Sequence, residues 1–230
     1  MIGILGAMTE EVRLIGTRLD DSASSKVGGR DYQIGRLGAQ EVVLATSGFG
    51  KVAAASTVTT MLDRFDPAAI LFTGVAGALD PGVKRGAVVV ADDLIQHDFD
   101  ASPIVPRFVI PSLQVDRIPT DPAWTKRLAA ATASSSPGAA VHRGLVLSGD
   151  QFISSNAARS ELRSLFPDAL AVEMEGAAVA QVCAERKVPF AVVRVISDTA
   201  DDHAGADFLD FVEHQAAPLL SGIVAEALRD

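Results

Sequence analysis

Cysteine is nearly absent from this chain. Cys183 is the single one in 230 residues, which excludes a disulfide framework and a metal–thiolate cluster and leaves core packing as its role. Aromatic residues are also sparse, at 5% against 48% hydrophobic residues. The interior is therefore built from Ala, Val and Leu, as in parallel sheets covered by helices on both faces. Basic residues are the scarcer charge, 20 Lys and Arg against 29 Asp and Glu, for a net charge of −9. Phosphate-rich partners need clustered cations, so this balance argues against nucleic acid and anionic membranes and favours a small neutral or cationic ligand. No apolar run is long enough to cross a bilayer. Met1 leads straight into Ile2-Gly3-Ile4-Leu5-Gly6 without a basic leader, so the sequence predicts a soluble, cytoplasmic protein. The length suits one α/β domain over residues 1–230.

Periodicity and punctuation predict a strand over 2–6 and a helix from Thr9 to about Leu19, with Glu10 and Glu11 in its favourable first turn. Segments 28–35 and 40–45 alternate and read as antiparallel strands, so the sheet is mixed. Thereafter helices over 51–65, 122–133, 155–166, 176–187 and about 208–228 alternate with strands over 69–74, 87–95, 141–147, 170–174 and 190–196. Five prolines crowd 102–122, a long irregular excursion that reads as a lid or partner contact.

Two nucleotide-binding motifs fail on inspection. Gly3-Ile4-Leu5-Gly6-Ala7-Met8 lacks the dinucleotide fingerprint, and a P-loop at Gly50-Lys51 has Ala45 for its first glycine and Val52 for its magnesium-binding hydroxyl. His97-Asp98-Phe99-Asp100 looks like a metal cluster, yet alternate residues at a strand end face opposite ways and no second motif completes a sphere. His142, His203 and His214 read as surface or capping residues.

Acids at strand ends carry more information. Glu10-Glu11 follows the first strand, Glu173-Met174-Glu175 lies at a strand–helix seam, and Ser197-Asp198 closes the last strand. Each acid alone could be a helix N-terminal charge or an N-cap. Gathered in one crevice at the strands' carboxyl ends, they would push one another's pKa apart and provide an acid and a base at the same pH. Such a site handles sugar hydroxyls and moves protons.

The motifs Glu10-Glu11-Val12, Ser47-Gly48-Phe49-Gly50-Lys51-Val52-Ala53-Ala54, Thr73-Gly74-Val75-Ala76-Gly77, Ser148-Gly149-Asp150-Gln151-Phe152-Ile153, Ala171-Val172-Glu173-Met174-Glu175 and Val193-Arg194-Val195-Ile196-Ser197-Asp198 occur in this order. Together they resemble the 5'-methylthioadenosine/S-adenosylhomocysteine nucleosidases of the purine nucleoside phosphorylase superfamily. The resemblance implies a homodimer of three-layer α/β/α subunits around a twisted mixed sheet. It implies hydrolysis of the bond between adenine and a 5'-substituted ribose, without metal or cofactor. Asp198 would protonate N7 of adenine and Glu11 would activate water. Glu175 would hold ribose hydroxyls, with Met174 packed on the sugar and Phe152 and the Ile153 backbone meeting adenine. Met8, Val75, Glu173 and Phe208 complete the substrate-binding set, with Arg194 ordering the site. Family members often carry Ser where Val75 stands; Val75 offers no hydroxyl, so the network around Asp198 is expected to be built differently or to be looser here. Phosphorylase relatives usually place an arginine and a serine where this chain has Phe72 and Val75, which favours water over phosphate. Segment 100–111 also departs from the aromatic-rich stretch that lines the 5' pocket from the partner subunit. A purine nucleoside phosphorylase, a futalosine-type hydrolase and a nucleoside-binding module without turnover are the alternatives.

Overall fold

The computed structural model describes residues 1–200 and 208–229; His203 lies outside them. Its centre is a ten-stranded mixed sheet. β1 (Ile2–Gly6) lies between β4 (Gln40–Thr46) and β5 (Ile70–Ala78), parallel to both. Antiparallel β3 (Arg30–Leu37) and β2 (Asp20–Val27) extend the sheet beyond β4 to an edge. On the other side β5 pairs with β10 (Phe190–Asp198), which pairs with β6 (Val88–Gln96), then β8 (Val141–Ser148) and β9 (Ala169–Glu173). β9 returns to β5 in antiparallel pairing at Gly77↔Val172 and Ala78↔Ala171, which closes these five strands into a ring.

The buried strands are apolar on both faces because both faces are covered. Along β10, Ala191, Val193 and Val195 pack with α1 (Thr9–Gly16), α3 (Pro122–Ser135) and α7 (Ala217–Ala227). Phe190, Val192 and Ile196 face the other way, toward α2 (Lys51–Phe65) and α5 (Gly176–Arg186). Period 2 thus divides one strand between two helical layers, and the three-layer α/β/α arrangement follows. Leu162 of α4 (Asn156–Leu165) and the following Phe166 close a smaller cluster around Leu145, Leu147 and Ile153.

Several boundaries differ from the sequence expectation. The first helix ends at Gly16, with Thr17 as its C-cap, because the chain must turn into β2 at Asp20. β2 itself, Asp-Asp-Ser-Ala-Ser-Ser-Lys-Val, is a polar, mostly exposed edge strand without the apolar alternation that marks a strand in sequence. The proline-rich excursion carries a short strand, β7 (Ile118–Pro119), paired with β6. The closing helix is three segments, α6 (Phe208–Phe211), a π-helical turn (Val212–Ala216) and α7. Among the described residues, no helix is long and apolar enough to cross a membrane.

Candidate active site

Three acids from distant parts of the chain, Glu11, Glu175 and Asp198, line one cavity of about 520 Å³ including its open mouth. Ring closure is what assembles them. The antiparallel contact of β9 with β5 sets the end of β9, and so Glu173 to Glu175, beside the Gly74–Gly77 stretch of β5. On its other side β5 pairs in parallel with β10, which delivers Asp198 opposite Gly77.

Glu11 stands at the third position of α1 and is buried. Its Oε2 accepts hydrogen bonds from the Ala7 and Met8 N–H groups at 2.7 and 2.8 Å, and Oε1 accepts from the Val75 N–H at 2.9 Å. The first two close the helix start as half of a capping box; the third ties the helix to β5. Burial pushes the Glu11 carboxyl above its ordinary range, against the opposing pull of Arg194 and these N–H groups. β5 can pass so close because residue 74 is glycine: a Cβ there would sit 2.6 Å from Glu11 Oε1.

Glu173 and Glu175, two residues apart, have different surroundings. The Glu173 carboxylate accepts from the Glu175 and Gly176 N–H groups at 2.8–3.2 Å, capping α5. It also accepts from the Ser148 hydroxyl, and Ser148 Oγ in turn accepts the Ala177 N–H at 2.7 Å. Arg194 Nη2 completes the group at 2.7 Å from Glu173 Oε2. Arg194 itself is 1% exposed, with its guanidinium 4.1 Å from the Phe72 ring centroid, and it lies behind the cavity wall. Glu175 Oε1 accepts the Gly50 N–H at 2.7 Å. Burial and then the charge of Glu173 raise the Glu175 carboxyl to about 8.

Asp198 ends β10. Its Oδ1 accepts the Ala200 N–H at 2.7 Å and its Oδ2 accepts the Ser197 hydroxyl at 2.6 Å. Val75 brings no hydroxyl to this corner; Ser197, the neighbour in sequence, supplies one.

Aromatic and apolar groups form the rest of the wall. Phe152 and Phe208 meet edge to face with centroids 6.0 Å apart, and Met8, Val75, Ile153 and Met174 line the same space. All the residues named from sequence as catalytic or substrate-binding thus border the cavity except Arg194. Sequence reasoning did not place Phe49, Gln151 and Ser197 there, although each sits inside a motif it had singled out. The His97-Asp98-Phe99-Asp100 segment lies beyond the end of β6, in a turn rather than a strand: His97 is buried and Asp98 pairs with Lys51. Among the described residues, no group of three or more His, Cys, Asp or Glu side chains could hold a metal ion.

Residues 1–229 match the family model described as the phosphorylase superfamily. The chain is 36% identical over 220 residues, 94% of each protein, to the 5'-methylthioadenosine/S-adenosylhomocysteine nucleosidase of Staphylococcus epidermidis. It superposes with a TM-score of 0.94 at 33% identity on the corresponding nucleosidase of Neisseria meningitidis in complex with methylthio-immucillin-A, covering 99% of this chain and 97% of that one. A futalosine hydrolase mutant of Helicobacter pylori matches with a TM-score of 0.89 at 36% identity, covering 98% and 97%. The chain belongs to the phosphorylase superfamily and, within it, to the 5'-methylthioadenosine/S-adenosylhomocysteine nucleosidase family.

Proposed function

We propose that this protein hydrolyses the N-glycosidic bond of 5'-substituted adenosines, 5'-methylthioadenosine and S-adenosylhomocysteine among them, to adenine and the 5'-substituted ribose. The observation that carries this reading is the shared cavity of Glu11, Glu175 and Asp198 beside the Phe152–Phe208 pair. A purine fits an aromatic wall, and a ribose fits a floor of carboxyl groups.

In this reading Asp198 gives its proton to N7 of adenine as the C1'–N9 bond breaks, so the base leaves neutral. The sugar becomes cation-like, and the surrounding carboxylates stabilise that charge. Glu11 holds the attacking water and takes its proton as oxygen bonds to C1'. Burial suits Glu11 to this duty, because a carboxylate with a raised pKa is a stronger base. Glu175 accepts from the ribose hydroxyls, Met174 packs on the sugar, and Phe152, Ile153 and Phe208 enclose the base, with Met8 and Val75 alongside. Glu173 borders the sugar site and Arg194 orders it through Glu173. Every proton and charge in this scheme belongs to a side chain or to water, so it contains no step for a metal or cofactor.

The decisive experiment is adenine release from 5'-methylthioadenosine with and without phosphate. Hydrolysis predicts equal rates and free 5-methylthioribose; a phosphate requirement and a ribose-1-phosphate product would make the protein a phosphorylase instead. The likeness to a futalosine hydrolase supports a second reading with the same bond cleaved and a bulkier 5' group. A panel of adenine nucleosides differing only at the 5' position separates the two.

We also take the chain as one domain that acts as a cytoplasmic homodimer. Supporting the dimer, Val52 and Ile104 are 81% and 88% exposed, and Phe49 and Phe152 at the cavity mouth are exposed as well. A monomer in sedimentation would remove that assignment.

A further inference from the structure

Lys51 opens α2, where the helix dipole disfavours a cation. Its Nζ lies 2.6 Å from Asp98 Oδ1, in a pair only 18% and 25% exposed. The other Asp98 oxygen accepts the Asp150 N–H at 2.8 Å, and Asp150 Oδ1 accepts the Lys51 N–H at 2.7 Å. Lys51, Asp98 and Asp150 therefore form a closed circuit joining the start of α2 to the segments that follow β6 and β8. Burial opposes charge on Asp98, but Lys51 and the Asp150 N–H outweigh it and hold this carboxyl below its ordinary range.

The circuit ends on the cavity. Gly50, directly before Lys51, donates its N–H to Glu175 Oε1 at 2.7 Å. Successive N–H groups at Gly50 and Lys51 are thus aimed at two carboxylates, Glu175 and Asp150. The backbone that achieves this has φ of +88° at Gly50, where a Cβ would lie 2.9 Å from Asp150 Oδ1. None of Lys51, Asp98 and Asp150 borders the cavity; anything they do for the reaction passes through the Gly50 amide.

We propose that Lys51, Asp98 and Asp150 are positioning residues for Glu175: the circuit fixes the Gly50 N–H against Oε1, so that Glu175 meets the ribose hydroxyls from one held orientation. The inference rests on the reading of Glu175 as the group that takes those hydroxyls. Lys51 at a helix start is then explained by what it braces.

The test compares wild type, Lys51→Met, Lys51→Arg and Asp98→Asn on 5'-methylthioadenosine and on its 2',3'-dideoxy counterpart, by turnover and by equilibrium binding, with melting temperatures recorded. Lys51→Met and Asp98→Asn are expected to lower kcat/KM for the ribose substrate by about ten- to a hundredfold, the range of a weakened hydrogen bond to a charged group, and to weaken its binding. Both should change the dideoxy nucleoside by less than about threefold, and Lys51→Arg should restore most of the loss. Asp98→Asn, nearly isosteric, serves if Lys51→Met does not fold. Equal losses on the two nucleosides would mean a general structural effect and would overturn the proposal, as would unchanged kinetics and binding in both variants. If wild type releases no adenine, the activity reading fails, and the binding arm still judges the circuit: equal wild-type affinity for the two nucleosides would overturn it.

Discussion

Replacing Asp198, the proposed general acid, with asparagine removes the proton it would deliver while keeping the shape of the side chain. The hydrogen bonds described above survive the change: the amide oxygen takes the Ala200 N–H in place of Oδ1, and the amide nitrogen faces the Ser197 hydroxyl, which can rotate to accept. Stability should therefore move by no more than about 1 kcal/mol. Proton delivery, in contrast, contributes about 10²- to 10⁴-fold, so kcat should fall by that factor, equivalent to about 3–5 kcal/mol of barrier. Adenine release measures the rate, calorimetric titration with 5'-methylthioadenosine measures binding, and a thermal melt checks the fold. Ribosides whose leaving group departs without protonation should lose far less than adenine nucleosides. A kcat within tenfold of wild type, or the same loss with every leaving group, would refute the assignment of Asp198 as general acid.

Three further outcomes follow from the same geometry. Glu175 titrates at about 8 in the free protein, and kcat/KM reports free-enzyme groups, so its pH profile should carry an ascending limb near pH 8 that Glu175→Gln abolishes; a limb surviving that substitution must belong to another group. Glu11 and Glu175 both sit above the ordinary 4.5, so the folded protein binds these protons more tightly than the unfolded chain, and unliganded stability should fall as pH rises from about 4.5 toward 8. Melts across this range should show the slope flattened in Glu175→Gln, and an unchanged slope would contradict the assignment. Gly74→Ala should cost about 1–3 kcal/mol and slow turnover, because its Cβ would fall 2.6 Å from Glu11 Oε1; wild-type melting and kinetics would show that the carboxylate can shift freely.

Where burial on both faces writes an apolar run, the elements can be read directly: β1, β6, β8 and β10 match their expected positions closely, and so does α2, whereas β5 runs on to Ala78, four residues past its expected end. β2 could not be read, because an edge strand whose side chains face water carries no apolar period. Ring closure left no trace in periodicity either, since the β9–β5 pairing joins residues far apart in sequence. That pairing is antiparallel, and the alternation of elements in the sequence carries no sign of which strands it joins. The acids converge because the ring folds back, not because their strands all run alike. Spacing likewise could not divide the duties of Glu173 and Glu175. The division depends on where the N–H groups around the start of α5 point: those of Glu175 and Gly176 go to Glu173 and that of Ala177 goes to Ser148, which leaves the Glu175 carboxyl to the cavity and the Gly50 amide.

Charge also bears on the choice between water and phosphate. The cavity is bordered by the carboxyl groups of Glu11, Glu173, Glu175 and Asp198, and no Lys or Arg is among its described lining residues. Arg194, the buried cation nearby, is engaged by Glu173 and stacked on Phe72 behind the wall. A phosphate anion entering this space would lose its hydration among acids without meeting a lining cation, a cost of several kcal/mol at least; a water molecule brings no charge to bury. The same crowding that excludes phosphate prepares the site for the sugar. Burial raises the Glu11 carboxyl above its ordinary range, and burial together with the charge of Glu173 raises that of Glu175. In the proposed reaction, positive charge growing on the ribose makes each carboxyl group that faces it easier to ionise, so attraction to the sugar is strongest at the transition state. Interactions that strengthen only there lower the barrier, which is why acids costly to the resting fold can be useful to the reaction.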